Sequence, residues 1–229
     1  MTILPIQSVD LTDQPQVGVE ICQLAALKRA GMPVLSGWVV IPTVPAWIIA
    51  DRRSFEQKAK LLKKEWMQTP LPIELADVLK HHKQWLFREA ILSSVEVWNA
   101  LLEHWFTQLQ SQAYRQDGLT KKINLTAVLL WEIDNQGRVI QAVFDPTHKE
   151  VRIETKIKIV PTMMQQIDRL VLQADKKLML SYCYGVWLSN NNLYLIHLKP
   201  SSEIITDQTI DSDLSVNTGA APRSFRSAM

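Results

Sequence analysis

Few polar side chains in this sequence stand at spacings typical of a catalytic site, and the usual phosphate-binding patterns are missing. Glu20 heads an apolar helical pattern, at a place where a phosphate-binding protein would need a cation. The seven glycines form neither a G-x-x-x-x-G-K-[ST] nor a G-x-G-x-x-G element, whose backbone amides cradle phosphates. Hydrolase chemistry is also disfavoured, because no serine or cysteine stands in a glycine-flanked strand-turn-helix elbow. We therefore predict no catalytic residue.

Metal-ligating side chains are present, but their spacing does not predict a metal site. His81 and His82 lie in a pattern read as helical, where adjacent side chains point about 100° apart and cannot share one ion. His197 could ligate a soft metal, yet no second ligand stands at a suitable spacing, which favours an outward-facing strand histidine. Cys22 and Cys183 form no C-x-x-C pair and are expected to be core thiols in a reducing compartment.

Length and charge limit the possible classes of protein. A chain of 229 residues can bury a core without disulfides or metals. Its 25 basic and 23 acidic side chains nearly cancel, so no strong field favours nucleic acid or an anionic membrane. No stretch approaches about 18 uninterrupted apolar residues, and the start lacks a basic segment followed by an apolar one. We expect a cytoplasmic protein that neither binds nucleic acid nor spans a membrane.

Hydrophobic periodicity in the first half predicts mainly helices. A helix over 19–30 ends at Gly31 and precedes the buried strand "GWVVIP"; Pro45 and Ser54 then begin two more helices. A long helix is predicted over 84–115, because six apolar residues recur there at spacings of three and four: Ile91, Val95, Trp98, Leu102, Trp105 and Leu109. This stripe could pack on a sheet or form a coiled-coil seam with a partner.

The second half predicts strands around one helix. Three antiparallel strands joined by short turns are expected over 124–160, from alternating patterns and turn signals at "DNQG" and "DPTHKE". Pro161 opens a helix that points Met164 and Ile167 inward, and a hairpin over 185–200 ends the ordered pattern. The composition beyond Ser201 becomes rich in Ser, Thr, Asp and Ala, which predicts a disordered tail.

Three stretches resemble the nucleotide-binding ATP-grasp domain of pyruvate phosphate dikinase and phosphoenolpyruvate synthase. Residues 17–42 resemble the family's opening helix and Gly-x-Pro-Val-Pro turn, and residues 95–133 resemble its Val-Trp-Ala-Ser helix, Tyr-Arg pair and Ala-Val strand. Residues 184–200 resemble its Glu-Trp strand and Gln-Ala-Arg-Pro ending. The stretches occur in the family's order and cover about two thirds of the chain.

The resemblance implies an α+β fold, a truncated two-lobed ATP-grasp-like domain with antiparallel sheet and packed helices. We expect an N-terminal extension over 1–15, one degenerate domain over 16–200 and a tail over 201–229. The first lobe would span about 16–90 and the second about 91–200.

The family's phosphate and metal ligands are missing at the matching positions. Glu20 replaces its opening lysine, and Val186 replaces the metal-binding glutamate before Trp187. The Arg-Ser-Ser motif has no counterpart between 43 and 90. Lys199 keeps a cation in the closing motif without the planar fork of an arginine. Lys28 or Arg29 could have taken over the lost lysine's role.

What remains of the implied nucleotide site is the adenine hinge and the closing motif. The hinge falls on Trp131, Glu132 and Ile133, where Trp131 could stack on an adenine or simply pack on the long helix. His197 and Lys199 are the remaining candidates for phosphate contact.

We expect a binding or scaffold module without phosphotransfer, acting on a protein partner or as a homo-oligomer, because tryptophan is enriched in interfaces and the chain has eight. No cofactor and no metal are expected. The alternative is a residual kinase-like domain that still binds ATP and Mg²⁺.

Overall fold

The computed structural model describes residues 1–50, 53–115, 123, 125–134, 136–145, 148, 150–155, 159–178 and 182–200. The first half contains β1 (Thr2–Pro5), α1 (Gln14–Val17), α2 (Val19–Arg29), β2 (Gly37–Ile41), α3 (Ala46–Ala50), α4 (Phe55–Gln68), α5 (Ile73–Leu79), β3 (Gln84–Phe87) and β4 (Ala90–Ser93). The second half contains α6 (Ser94–Arg115), β5 (Val128–Ile133), β6 (Arg138–Asp145), β7 (Glu150–Glu154), α7 (Pro161–Leu178), β8 (Tyr182–Ser189) and β9 (Asn192–Pro200).

The strands form two antiparallel sheets. The first, sheet A, has the order β1-β2-β5-β3-β4, and the second, sheet B, has the order β7-β6-β8-β9. One face of sheet A packs on α3 to α6, and its other face shares a core with α2, α7 and sheet B. The predicted α+β class, antiparallel sheets with packed helices, is confirmed.

Strand β5 lies at the centre of sheet A and is buried on both faces. Its even-numbered residues Val128 and Leu130 belong to the helix-side core, whereas Trp131 and Ile133 belong to the core shared with sheet B. Successive side chains of a strand point to opposite faces, so one short strand contributes to both cores. This explains why its sequence is apolar at nearly every position.

The predicted long helix over 84–115 is wrong in its first ten residues. These form the β3–β4 hairpin, and α6 begins only at Ser94. Two members of the predicted stripe are exposed, Ile91 in the hairpin and Val95 in the first turn of α6, and the buried positions include Val97 and Leu101 instead. The helix start has a local signal, since Glu96 accepts hydrogen bonds from both the backbone N–H and the hydroxyl of Ser93.

The pairing of the strands differs from the pairing that the local sequence pattern predicts. The three strands predicted over 124–160 do not form one meander, because β5 pairs with β2 and β3 while β6 pairs with β7 and β8. Two elements contact across the boundary between the predicted lobes 16–90 and 91–200. Strand β5 of the second pairs within sheet A with strands of the first, and α2 of the first packs against β9 of the second. Residues 2–5, predicted to belong to an extension, form the edge strand β1.

Several local predictions are confirmed. The helix beginning after Ser54 carries a capping box with Gln57, and Gly31 adopts a φ of 78° just beyond the end of α2. Helix α7 begins at Pro161 as predicted, although Met163 is buried in place of Met164. The prediction that His81 and His82 lie on a helix is wrong, because α5 ends at Leu79. The tail predicted over 201–229 lies outside the described residues.

No helix in the described part of the chain is long and apolar enough to cross a membrane.

Replacing Glu96 with alanine should lower the urea concentration at the midpoint of unfolding, because the Ser93 N–H and hydroxyl lose their charged acceptor at the start of α6. The matched control is Glu103→Ala, which removes an exposed carboxylate from the same helix. Equal midpoints for the two variants would show that this contact does not stabilise α6.

Candidate functional site

A cleft of about 610 Å³ lies between the two sheets. Strand β5 forms one wall and strands β6 and β9 form the opposite one, while the start of α2, the β3–β4 turn and α6 close the ends. The residues around it are Glu20, Ile21, Phe87, Arg88, Glu89, His104, Ala127, Val128, Leu129, Trp131, Val139, Gln141, Ile196 and His197. Its size falls in the range of small-molecule sites.

Glu20 joins α2 to β9 at the edge of the cleft. Its Oε1 lies 2.5 Å from Nδ1 of His197 and accepts a hydrogen bond from the backbone N–H of Leu198 at 3.1 Å. An acid in the first turn of a helix is also favoured by the helix dipole. The acid at this position therefore has a structural reason, and it takes part of the hydrogen-bonding capacity of His197.

Trp131 lies on the cleft side of β5, turned away from α6. It is 3% exposed and belongs to the core shared with sheet B, so the interpretation that it packs on the long helix is wrong. Gly37 lies opposite it in β2, and a Cβ there would approach the Leu130 carbonyl oxygen to 2.4 Å. The absent side chain at residue 37 thus allows Trp131 and β5 to pack closely.

Glu132 and Ile133 lie outside the cleft. The Glu132 carboxylate accepts from the Trp38 indole N–H at 2.6 Å, and its backbone N–H donates to the carbonyl oxygen of Ser36. Oε1 of Glu132 is also 3.7 Å from Nε2 of His82. Both Glu132 and Ile133 line a separate depression of about 120 Å³. The predicted hinge residues therefore divide between two places, with only Trp131 at the cleft.

Lys199 is not among the residues that line the cleft. It lies half-buried on β9, across from Cys183. Burial raises the pKa of Cys183 to about 11, which keeps it a thiol at neutral pH. Val186, at the position of the family's metal-binding glutamate, is fully buried in the core.

Lys28 and Arg29 are both engaged with backbone carbonyls away from the cleft. Nζ of Lys28 donates to the carbonyl oxygens of Val34 and Leu35 at 2.8 and 3.2 Å, and Arg29 donates to that of Val9. Burial lowers the pKa of Lys28, as expected for an ammonium group that has left bulk water. Neither residue lines the cleft.

Sequence reasoning missed Arg88, Glu89, His104 and Gln141, which supply most of the polar lining. Arg88 and Glu89 were assigned to a helix, but they form the β3–β4 turn, where Arg88 has a φ of 57°. The turn contains no Gly, Asn or Pro to signal it. Burial, and secondarily the Arg88 guanidinium, lower the pKa of His104.

A second cluster of polar groups lies at the end of β6. Asp145, His148 and Glu150 place one ligand atom each within 4.8 Å of one another. Asp145 also accepts from the His148 backbone N–H and pairs with Arg152 at 2.9 Å, while most of the turn predicted at "DPTHKE" lies outside the described residues. The arginine already neutralises the carboxylate that a cation would need, so we assign no metal to this cluster.

Comparisons with known proteins find similarity only at the level of structure. No family model and no curated protein matches the sequence. The D-alanine-D-alanine ligase from Coxiella burnetii matches 78% of this chain at 13% identity, with a TM-score of 0.40. C-terminally truncated Cdc123 from Schizosaccharomyces pombe matches 92% at 12% identity, with a TM-score of 0.41. The chain spans 45% of the ligase chain and 96% of the Cdc123 chain, and these similarities assign it no ligand or activity.

Replacing Gly37 with alanine should destabilise the protein by about 2 kcal/mol, the usual cost of forcing an extra methyl into a packed interior. The new Cβ would meet the Leu130 backbone and the Trp131 ring, so β5 must shift. Urea unfolding measures the effect, and near-ultraviolet circular dichroism reports the tryptophan environment. An unchanged midpoint and spectrum would contradict this packing.

The lowered pKa of His104 predicts a pH-dependent stability. Because the folded state disfavours the protonated ring, this contribution is complete above the unfolded-state pKa and is lost as the pH falls through it. The free energy of unfolding should therefore drop less in His104→Gln than in the parent between about pH 7.5 and about pH 5.5. The control is His81→Gln, which removes an exposed histidine; equal drops in all three proteins would contradict the assignment.

Proposed function

We propose that this chain is a shortened ATP-grasp-like domain, related to the nucleotide-binding part of phosphoenolpyruvate synthase and pyruvate phosphate dikinase, that acts as a binding module without phosphotransfer. Two antiparallel sheets facing each other across a cleft support the ATP-grasp-like part of the proposal. The three stretches that resemble the family support the relationship, since they supply α2, β5 and β9 around that cleft.

The observation that carries the proposal is the Glu20 carboxylate at the cleft edge, bonded to Leu198 and His197. At about 4 Å, one such charge repels one phosphate charge by roughly 1 kcal/mol in water and up to about 4 kcal/mol at a partly shielded protein surface. Phosphoryl transfer depends on neutralising such charges. Glu89 adds a second carboxylate to the same cleft.

The absence of Mg²⁺ with ATP from this proposal is supported by Val186. Mg²⁺ requires oxygen ligands, and the side chain at the position that the resemblance matches to a metal-binding glutamate is apolar and fully buried. Arg88 is the one arginine or lysine among the residues that line the cleft, and no step of phosphotransfer is assigned to it.

The tryptophans give less support to a protein-interface role than their number suggests. Five of the eight are at most 8% exposed and stabilise the two cores, and Trp47 is half exposed. The buried ones are Trp66, Trp85, Trp105, Trp131 and Trp187. We therefore propose the cleft as the binding site, and a protein partner or a second copy of the chain remains part of the proposal.

The second candidate function is a residual nucleotide binder. The observation that favours it is the shared placement of Trp131 and His197 at the cleft, beside the apolar wall of Leu129 and Ile196. An adenine ring could pack on this wall without any contact between the protein and the phosphates.

Isothermal titration with ATP and ADP, with and without Mg²⁺, should show no saturable binding at micromolar concentration, and no phosphate should be released or transferred. Glu20→Gln removes the repelling charge and should strengthen any weak ATP binding by several-fold. The matched control is Glu74→Gln on α5, away from the cleft. Micromolar binding of ATP that His197→Ala weakens would favour the nucleotide binder, because His197 lines the cleft; turnover of ATP would refute the proposal.

A further inference from the structure

Two nitrogen atoms face each other at one end of the cleft without a suitable acceptor between them. Nη1 of Arg88 lies 3.5 Å from Nδ1 of His104, and both residues line the cleft. An arginine can only donate hydrogen bonds, so the contact depends on whether Nδ1 carries a hydrogen.

The hydrogen bonds of Gln108 determine which ring nitrogen of His104 carries the hydrogen. The backbone N–H of Thr126 can only donate, and it donates to Oε1 of Gln108 at 3.1 Å, which fixes the orientation of the amide. The amide nitrogen of Gln108 then donates one hydrogen to the Thr126 hydroxyl and the other to Nε2 of His104, 3.0 Å away. Nε2 is therefore the acceptor of the imidazole.

A neutral imidazole with an acceptor at Nε2 carries its hydrogen on Nδ1. Burial and the neighbouring guanidinium lower the pKa of His104, which favours this neutral ring. The Nδ1–H and the Arg88 guanidinium are thus two donors, 3.5 Å apart, that cannot bond to each other. Within the described part of the chain, Arg88 forms no ion pair that would occupy it.

The backbone of Arg88 supports a role beyond the turn itself. Its φ of 57° lies in the left-handed region, which costs a residue other than glycine roughly 1 kcal/mol. Asparagine or glycine would serve the turn better, so the position holds an arginine at a cost to stability. Strained residues of this kind concentrate at ligand sites.

We propose that Arg88 and His104 bind the carboxylate of a small organic acid whose apolar part lies along the cleft wall. This inference rests on the proposed function, because it takes the cleft to be a binding site without phosphotransfer. One carboxylate oxygen can accept from both donors, and the planar guanidinium suits a carboxylate. The wall is apolar at Leu129, Val139 and Ile196.

The charge of the cleft favours a carboxylate over a phosphate. Glu20 and Glu89 line the same cleft, so a ligand with two or three negative charges meets two acids and one arginine. A single carboxylate needs only the donors at Arg88 and His104. The proposed ligand therefore has one negative charge.

The test is isothermal titration of the full chain with three probes, namely hexanoate, its neutral amide and inorganic phosphate. Hexanoate should bind saturably, and both other probes should bind at least about tenfold more weakly. The ring nitrogen resonances of His104 should show a hydrogen on Nδ1 and should shift with hexanoate. Failure of wild-type protein to bind hexanoate, or tighter binding of phosphate, would overturn the inference.

The decisive variant is Arg88→Asn, which removes the charge and keeps a residue that tolerates positive φ, so the fold should be retained. It should weaken hexanoate binding at least about tenfold, while the matched control Arg138→Asn, on an exposed residue outside the cleft, should not change it. Unchanged binding in Arg88→Asn would refute this inference alone, whereas ATP turnover by the parent protein would refute the proposed function.

Discussion

The structure depends on a central strand, β5, that is buried on both faces. Its alternate side chains fill two different cores, one beneath α3 to α6 and one shared with α2, α7 and sheet B. Such a strand cannot shift in register without exchanging the two sets of side chains, so it holds both halves of the molecule in one alignment. Gly37 permits the close packing against Trp131 that this arrangement needs.

The cleft between the sheets follows from this arrangement, and two carboxylates, those of Glu20 and Glu89, line it. Glu20 connects α2 to β9 through Leu198 and His197, so the acid serves the structure that encloses the cleft. The lysine and arginine of the helix end, Lys28 and Arg29, are engaged with backbone carbonyls on the far side. The positive charge that remains at the cleft comes from the β3–β4 turn, where Arg88 faces His104.

The sequence predicted most of the elements and only part of the site. Helix ends with strong local chemistry, such as the Ser54 cap and Pro161, were predicted well because the capping bonds lie within a few residues. The β3–β4 hairpin was missed because its apolar residues also fit a helical repeat and its turn lacks glycine. The Ser93-x-x-Glu96 pattern was present in the sequence and marks the true start of α6.

The sequence alone determined the type and order of most elements and the absence of glycine-rich phosphate loops, because these depend on local periodicity and residue type, whereas the α+β class was implied by the resemblance. Only the tertiary structure decided which strands pair, since β5 and β6 are neighbours in the chain and belong to different sheets. It also decided that Glu20 bonds to Leu198, which lies 178 positions further along the chain. Side chains that meet across such distances leave no periodic signal, so Arg88, Glu89 and His104 could be assigned to the cleft only from their packing.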